Sequence, residues 1–237
     1  QGIPVIGSNH PVCLSNDLKD KRLRSSVLVQ WKDLSYVIDC GPDFRQQMLR
    51  IGCNQLDGVL FTHEHADHTS GLDDIRPFFY RQGDIPIYAT DRVLEDLTRR
   101  FSYIFESENK YPGSPTVQIN TIEKDTVFKL GEKQVFAIEV MHNQLAVMGF
   151  RIDNFSYLTD VKTIENDQLN KLKDCDVLVL NALRIEPHNS HLNLEEALHM
   201  VALLKPKRTY LTHISHLLGF HEELSKQLPE NVFLAYD

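Results

Sequence analysis

Hydrophobic residues along the chain fall into short runs that predict a series of β-strands. In the first half these runs lie at residues 26–30, 36–39, 58–62 and 85–89; in the second half they lie at 135–141, 155–159, 176–181 and 209–212. They are rich in Val, Ile, Leu, Phe and Tyr, and runs of this length and composition are typical of strands. The second half therefore repeats the pattern of the first.

Two longer segments carry apolar residues at helical spacing. One runs from about residue 91 to 105, with Asp91 as its expected N-cap and Val93, Leu94, Leu97 and Phe101 on its apolar stripe. The other follows a cap at Asn193 and ends before Pro206, with Leu194, Ala197, Leu198, Val201 and Ala202 on its stripe. Interleaved strands and helices indicate one α/β domain over residues 1–237, with two sheets sandwiched by helices.

Composition narrows the classes of protein that remain. The chain has 237 residues, 42% of them hydrophobic, and a formal net charge of -8. No apolar stretch approaches the ~20 residues of a membrane span, so we predict no contact with a membrane. An acidic chain is poorly suited to grip a nucleic-acid backbone, whereas a small anionic substrate needs only a local positive site. The four cysteines are scattered, which favours a reducing cytoplasmic setting over a disulfide framework.

Four of the predicted strands lead directly to a residue that can bind a metal ion. These residues are His63, His142, Asp160 and His213. Residues at strand ends can converge on one edge of a sheet, where α/β proteins commonly place their sites. Taken singly, each of the last three is more often an ordinary core or surface residue.

The first of these positions opens a dense string of ligand-competent residues. His63, His65, Asp67 and His68 fall within six residues, and the alternation of His63 and His65 can point both rings to one side of an extended loop. Imidazole and carboxylate ligands together suit zinc, iron or manganese. So many histidines contribute little to packing, and the string predicts a metal site.

The string and the later ligands resemble the metallo-β-lactamase superfamily, and within it the branch of phosphoribosyl 1,2-cyclic phosphate phosphodiesterases. The resemblance runs through most of the chain: residues 2–7, the strand end at 38–39, residues 62–68, Gly71-Leu72, residues 158–160, the loop of His191 and residues 211–216. It implies an αββα sandwich, clipped at both ends of this sequence. The same fold acts on many substrates, so the branch is a narrower inference than the superfamily.

The resemblance implies a centre of two divalent metal ions, zinc or manganese. One ion would be held by His63, His65 and His142, the other by Asp67, His68 and His213, and Asp160 would bridge them. Asp67 is also expected to take part in catalysis. A hydroxide shared by the two ions would attack phosphorus, and the ions would offset charge on the phosphoryl oxygens.

Residues around this centre are assigned further roles, each beside a plainer alternative. We expect His191 to protonate the leaving oxygen, as the similar enzymes place a catalytic histidine here; the alternative is a histidine held by loop packing. Arg184 and His188 could bind a distal phosphate or be solvated loop residues. Arg76 is more often a structural ion-pair partner than a phosphate contact. Asp39 is expected to orient a ligand histidine.

A second metal site is a further expectation. The relatives carry a Gly-Cys-x-Cys-x-x-Cys string that binds structural zinc together with a C-terminal histidine. Here Cys13 matches, His10 replaces one cysteine, and Ser8 replaces another but is a poor ligand. His216 matches the C-terminal histidine and His221 lies nearby. The alternative is a loop that binds no zinc.

The sequence thus predicts a metal-dependent hydrolase with a small phosphorylated substrate, and relatives of this kind commonly form homodimers. We favour a phosphodiesterase that opens a cyclic phosphate such as phosphoribosyl 1,2-cyclic phosphate. Another hydrolase of the same fold, acting on a thioester, a lactone or an RNA phosphodiester, is the first alternative. A metal-binding carrier protein without catalysis is the second.

Overall fold

The computed structural model of the protein describes residues 2–106, 108 and 110–237, which fall into two compact units. Unit I is Arg24–Glu123, and unit II joins Gln1–Leu23 to Lys124–Asp237. Each unit has its own sheet and its own hydrophobic cluster. The expectation of a single domain over residues 1–237 stays a prediction.

Strands and short helices alternate along most of the chain. The helices are α1 (Pro11–Leu14), α2 (Phe44–Arg50), α3 (Ala66–Thr69), α4 (Arg76–Gln82), α5 (Asp91–Arg100), α6 (Ser102–Phe105), α7 (Asn166–Asn170), α8 (Leu194–Leu204) and α9 (His221–Ser225), with 3-10 turns at Leu18–Asp20, Leu72–Ile75 and His216–Leu218. The strands are β1 (Val27–Trp31), β2 (Leu34–Ile38), β3 (Gly58–Leu60), β4 (Ile85–Ala89), β5 (Val117–Thr121), β6 (Val127–Leu130), β7 (Lys133–His142), β8 (Leu145–Ile152), β9 (Phe155–Leu158), β10 (Val177–Asn181), β11 (Arg208–Thr212) and β12 (Val232–Leu234).

Unit I is built on a mixed sheet with the strand order β1-β2-β3-β4-β5. Strands β1 and β2 form an antiparallel hairpin, in which Trp31 pairs with Leu34 and Lys32 takes a left-handed conformation in the turn. The remaining pairs are parallel. Helices supply the crossovers between parallel strands, so β2, β3 and β4 end at the same edge of the sheet.

The core of unit I joins this sheet to its helices. Val37, Val59 and Ile87 of neighbouring strands are buried in one cluster with Phe44, Phe78 and Leu97 of α2, α4 and α5. Burying a side chain of this size stabilises the fold by about 1.5–3 kcal/mol. The helices are therefore held firmly against the strands that carry the polar residues described below.

Unit II is built on a seven-stranded mixed sheet with the order β12-β11-β10-β9-β8-β7-β6. Strands β6 to β9 pair antiparallel, and β9 to β12 pair parallel. A row of paired leucines crosses the parallel part: Leu158, Leu180, Leu211 and Leu234. All four are at most 3% exposed, so this leucine row anchors one edge of the sheet in the core.

The second predicted helix is present as α8, and its cap follows the expected chemistry. The Asn193 side chain accepts a hydrogen bond from the Glu196 amide, while the Glu196 carboxylate accepts one from the Asn193 amide. This capping box satisfies two amides that the first turn of a helix leaves without partners. The helix ends at Leu204, two residues before Pro206.

The first predicted helix differs from the structure in two respects. Thr90, not Asp91, is the N-cap, because its side chain accepts from the Val93 amide and Asp91 becomes the first helical residue. The predicted segment is also two helices, α5 and α6, separated at Phe101 with φ -124° and ψ 41°. Apolar periodicity missed the break because Ile104 recurs at helical spacing from Leu97, so the pattern continues across it.

The fold class is confirmed: the chain is a mixed α/β protein with two mixed sheets and helices on them. The eight predicted strands are present, with their ends within two residues of the predicted ones, whereas β5, β6, β8 and β12 were not predicted. All four cysteines are free thiols. Within the described ranges, none of the helices combines the length and apolar character that crossing a bilayer requires.

Candidate metal centre

The dense histidine string lies in unit I, on the loop between β3 and α3. We call His63, His65, Asp67 and His68 the loop group. His63 and His68 are fully buried, whereas Asp67 on α3 keeps 36% of its side chain exposed. The His63 ring centroid is 4.3 Å from that of His68 and 4.6 Å from that of His65. The loop thus brings three imidazoles and one carboxylate close together.

A buried hydrogen-bond network orients the rings of His63 and His68. Asp39 Oδ2 accepts from His68 Nδ1 at 2.7 Å and from the Thr62 hydroxyl at 2.9 Å, while Asp39 Oδ1 accepts from the Thr62 amide. Since the Thr62 hydroxyl gives its one proton to Asp39, it accepts from His63 Nδ1 at 2.9 Å. Both rings then carry their proton on Nδ1, which makes Nε2 the lone-pair nitrogen of each.

Asp39 owes its place to an unusual backbone conformation. It follows β2 with a φ of +65°, in the left-handed region that disfavours most side chains but that Asp tolerates. The side chain is completely buried. Burial raises the pKa of the Asp39 carboxyl, and the interaction with His68 and the hydrogen bonds from Thr62 act in the opposite direction.

Two glycines let the chain pack closely beside this network. The Cys40 amide donates to the His68 carbonyl, and the Gly71 amide donates to the Cys40 carbonyl. A Cβ on Gly41 would lie 2.3 Å from the Asp67 carbonyl oxygen, and one on Gly71 would lie 2.1 Å from the Gly41 carbonyl oxygen. The backbone after β2 can therefore pack this closely against α3 only if positions 41 and 71 are both glycine.

The other predicted ligands lie in unit II, where His142 is the last residue of β7 and Asp160 and His213 follow the ends of β9 and β11. We call His142, Asp160, His191 and His213 the strand-end group. Asp160 and His213 each stand two residues past the leucine row on β9 and β11, with φ of +56° and +52°. Asp160 Oδ1 lies 3.4 Å from His213 Nε2. The parallel register therefore brings these two residues together, and the left-handed turns aim them at one another.

His191 and His142 complete the strand-end group. His191 Nε2 lies 2.9 Å from Asp160 Oδ1, and its ring centroid is 4.4 Å from that of His142. His142 Nδ1 donates to the Ser190 carbonyl at 2.6 Å, which makes Nε2 its lone-pair nitrogen. One ligand atom each from His142, Asp160 and His191 lie within 4.8 Å of one another. His191 therefore lies close enough to Asp160 for the two residues to bind the same metal ion.

The Asp160 turn is held by its neighbours in the sheet. Thr159 donates its hydroxyl proton to Asp160 Oδ2 at 2.7 Å. The side chain of Asn181, fully buried at the end of β10, accepts from the Val161 amide and donates to the Val161 carbonyl. The Leu192 amide also donates to the Val161 carbonyl, which ties the loop of His191 to the same turn.

The residues proposed for a distal phosphate have contacts of their own. Arg184 donates from Nε to the Glu186 carbonyl and from Nη2 to the Pro187 carbonyl, so its guanidinium braces its own loop. His188 Nδ1 lies 3.2 Å from His191 Nδ1. Burial lowers the pKa of His188, and the neighbouring His191 lowers it further. Arg76 forms an ion pair with Asp73, as the plainer interpretation of that residue expected.

The second predicted metal site is partly assembled. The rings of His10 and His216 meet edge to face with centroids 4.9 Å apart, and Cys13 is buried one turn after His10 on α1. His10 Nδ1 accepts from the Val12 amide as the cap of α1. In the described part of the chain these three do not form one of the groups whose ligand atoms lie within 4.8 Å, and the zinc site stays a prediction.

Both groups offer the donors that a divalent metal ion requires. Neutral imidazole nitrogens and carboxylate oxygens suit zinc, iron and manganese. His68 gives its Nδ1 proton to a carboxylate, and His142 gives its own to a carbonyl; ligating histidines in metalloproteins are usually oriented in this way. The chemistry of the donors therefore fits a metal ion.

Several residues that shape these groups were missed from the sequence. Thr62, Thr159 and Asn181 hold the ligands or their turns through buried hydrogen bonds. A signal existed for the threonines, because Thr62, Thr159 and Thr212 each immediately precede a predicted ligand. Asn181 ends the strand between two ligand-bearing strands, and nothing in its local sequence marks it.

The chain is similar to a known protein family and to a solved structure. The model of the beta-lactamase superfamily domain matches residues 35–214. A crystal structure described as a new diphosphatase from the PhnP family is 37% identical, covers all of this chain and 90% of that one, and superposes with a TM-score of 0.92.

Curated relatives are similar over different shares of the chain. An octanoyltransferase from Porphyromonas gingivalis is 36% identical over 238 residues, which is all of this chain but 48% of that protein. A ribonuclease Z from Mycolicibacterium gilvum is 25% identical over 150 residues, or 56% of this chain and 52% of that one. The chain spans about half the length of these relatives. From the family model and the PhnP-family structure together, the chain belongs to the beta-lactamase superfamily of metallo-β-lactamase-fold proteins, near the PhnP branch.

Proposed function

We propose that the protein is a metal-dependent phosphodiesterase that opens a small cyclic phosphate, such as phosphoribosyl 1,2-cyclic phosphate, in the cytoplasm. The observation that carries this proposal is the pair of His191 and Asp160, in which a buried carboxylate orients a histidine beside further metal-ligating side chains. The similar diphosphatase and ribonuclease Z are both named for the cleavage of phosphate bonds. A compound with a hydrolysable phosphate bond is thus the substrate class that these similar proteins support.

The loop group and the strand-end group would hold the metal ions. In this proposal His63, His65, Asp67 and His68 would hold metal in the loop group, and His142, Asp160 and His213 would hold metal in the strand-end group. Bound divalent ions would supply a nucleophile at neutral pH by lowering the pKa of water, and would offset negative charge on the phosphate. That local positive charge matters in a chain with a net charge of -8.

The protein's own residues would orient the substrate and move the proton. His191 holds its Nε2 against Asp160 Oδ1, so a proton on that nitrogen is presented at the ligand cluster. We propose that His191 gives this proton to the leaving oxygen as the phosphate ring opens. Asp39 and Thr62 hold the rings of His68 and His63 in the orientation that presents Nε2 to a metal ion.

Two alternatives are decided by the same experiment. Another hydrolase of this fold would cleave a thioester, a lactone or an RNA phosphodiester in place of a cyclic phosphate. A metal-binding carrier would bind metal and turn over none of these compounds.

The test is an assay of the metal-reconstituted protein on a panel of compounds. The panel contains phosphoribosyl 1,2-cyclic phosphate, 2′,3′-cyclic nucleotides, bis-p-nitrophenyl phosphate, a nucleoside diphosphate, an RNA, a thioester and a lactone. We expect a cyclic phosphate to be cleaved best, and this cleavage to be lost in Asp160→Ala. Cleavage of the RNA, the thioester or the lactone alone, or metal binding without any turnover, would overturn the proposal.

A further inference from the structure

The loop group is held from outside by one helix of unit I. The backbone carbonyls of Glu64 and His65, in the same loop as the predicted ligands His63 and His65, accept hydrogen bonds from side chains. The Thr69 hydroxyl lies 2.9 Å from the His65 carbonyl and 3.3 Å from the Glu64 carbonyl. Arg100 Nη2 donates to the Glu64 carbonyl at 3.0 Å and to the Thr69 hydroxyl at 2.8 Å. Thr69 and Arg100 thus hold the backbone of the loop that carries His63 and His65.

Arg100 reaches this loop from a rigid support. It is the last residue of α5, whose Val93, Leu94 and Leu97 are buried in the core of unit I. Its guanidinium also pairs with Asp96 one turn earlier, and 27% of its side chain is exposed. Helix α5 therefore supplies both the anchored base of this side chain and one of the acceptors that hold its guanidinium.

The same helix holds Glu64 at a second point. Arg92, in the first turn of α5, forms an ion pair with the Glu64 carboxylate at 3.2 Å. Glu64 is therefore held at two points by α5. Arg92 near the start of the helix pairs with its carboxylate, and Arg100 at the end of the helix donates to its carbonyl. Glu64 points to α5 and is accounted for without a role as a metal ligand.

We propose that Arg100 is a positioning residue for metal binding, which presets the spacing of the His63 and His65 rings through the Glu64 and His65 carbonyls. The two rings approach to 3.0 Å between His63 Nε2 and His65 Nδ1, and small rotations of the loop would change that spacing. A charged donor on a backbone carbonyl is about twice as strong as a neutral one. The inference rests on the metal binding that the proposed function assumes.

The neighbouring residue provides a matched control. Arg99 also lies in the last turn of α5 and also pairs with Asp96, but 78% of its side chain is exposed. Arg99→Gln and Arg100→Gln remove the same charge from the same helix end and break an ion pair with the same carboxylate. They differ in the hydrogen bond to the Glu64 carbonyl, which Arg100 donates, whereas Arg99 pairs with Asp96 on its own helix.

The experiment measures metal affinity and does not depend on activity. Zn²⁺ binding to the metal-free protein is followed by competition with a chromophoric chelator, and the Co²⁺-loaded protein is examined by its visible spectrum. We expect Arg100→Gln to weaken Zn²⁺ binding by about 10–100-fold, the usual effect of losing a group that orients metal ligands. We also expect a changed Co²⁺ spectrum. Arg99→Gln should stay within about twofold of the wild type, and Arg100→Lys, which keeps one donor, should fall between.

Each outcome decides the inference. Wild-type affinity in Arg100→Gln, or equal losses in the two glutamine variants, would overturn it. If metal-free Arg100→Gln proves unfolded in urea titrations, Arg100→Lys decides: reduced affinity in a folded protein supports the inference, and unchanged affinity overturns it. A wild-type protein that binds Zn²⁺ but cleaves no phosphodiester leaves the inference standing while the proposed function fails. A wild-type protein that binds no metal overturns both.

Discussion

His68 Nδ1 donates a 2.7 Å hydrogen bond to Asp39 Oδ2, and both residues are fully buried. The two residues are separated by 29 positions in the sequence, yet the pair determines which nitrogen of His68 carries the proton. A buried carboxylate without partners would be costly, and here three donors satisfy it. The pair therefore links the stability of unit I to the orientation of its ligands.

Replacing Asp39 by asparagine should weaken metal binding and also destabilise the fold. The amide NH₂ cannot accept the protons that His68 and Thr62 direct at Asp39 Oδ2. We expect Zn²⁺ affinity to fall by about 10–100-fold and the free energy of unfolding by about 1–3 kcal/mol. Calorimetric metal titration and urea unfolding measure the two effects.

Asp43→Asn is the control, because Asp43 pairs with Arg24 at a partly exposed site. It should cost at most about 1 kcal/mol and leave metal affinity unchanged. Equal metal affinities in Asp39→Asn and the wild type would show that the carboxylate does not orient His68.

The hydroxyl group of Thr62 should contribute to stability and to metal binding, beyond the packing of its branched side chain. Thr62→Val keeps the branched side chain but removes the group that joins Asp39 to His63 Nδ1. We expect a loss of about 1–3 kcal/mol in unfolding free energy, from the donor and acceptor left buried without the hydroxyl, together with weaker metal binding. Thr62→Ser should restore most of both properties, and a serine variant as impaired as the valine variant would contradict this role.

A methyl group at Gly71 should disrupt the close packing between α3 and the segment that follows β2. Its Cβ would lie 2.1 Å from the Gly41 carbonyl oxygen and 2.8 Å from Phe44 Cβ, and neither neighbour can rotate away. We expect Gly71→Ala to cost more than about 3 kcal/mol, at the upper end of overpacking effects.

Gly52→Ala is the comparison for this substitution, since Gly52 has a φ of +62° and nothing within 4 Å of an added Cβ. It should cost only about 1–2 kcal/mol, the penalty of the left-handed conformation alone. Thermal unfolding compares the two variants, and equal melting temperatures would argue against the close approach at Gly71.

The variant His191→Ala should show whether His191 acts as a proton donor or as a metal ligand. If His191 protonates the leaving group, kcat/KM on a cyclic phosphate should fall by about 10²–10⁴-fold while the bound metal stays the same. His199→Ala, which removes an exposed histidine on α8, should leave kcat/KM nearly unchanged. A drop in bound metal for His191→Ala, measured by elemental analysis, would instead assign His191 as a ligand of Asp160's ion.

Removing metal should lower the stability of the protein. An ion that binds only the folded state adds about 2.7 kcal/mol to the free energy of unfolding at a free concentration of 100 times its Kd. We expect a chelator to lower Tm and added Zn²⁺ or Mn²⁺ to restore it. Asp160→Ala should show a smaller restoration, and a Tm that does not respond to chelator or metal would contradict metal binding by the folded protein.

Much of the candidate site could be read from the sequence because it is encoded by neighbours along the chain. His142 is the last residue of its strand, and His63, Asp160 and His213 follow theirs by one to three residues. Within unit II, the parallel strands carry Asp160 and His213 to a shared edge of the sheet. The capping box of α8 is encoded in the same way, by Asn193 and Glu196 one turn apart. For these features local spacing is sufficient.

Other features depended on contacts that no local pattern records. Arg100 lies 36 positions from the Glu64 carbonyl that it holds, and Asn181 lies 20 positions from Val161. The break at Phe101 and the cap at Thr90 likewise depend on backbone angles and on which side chain reaches an amide first. The sequence by itself determined which residues could bind a metal ion and which strands carry them. Only the tertiary structure decided how the histidine rings are oriented, because ring orientation depends on hydrogen bonds between distant segments that meet when the core is packed.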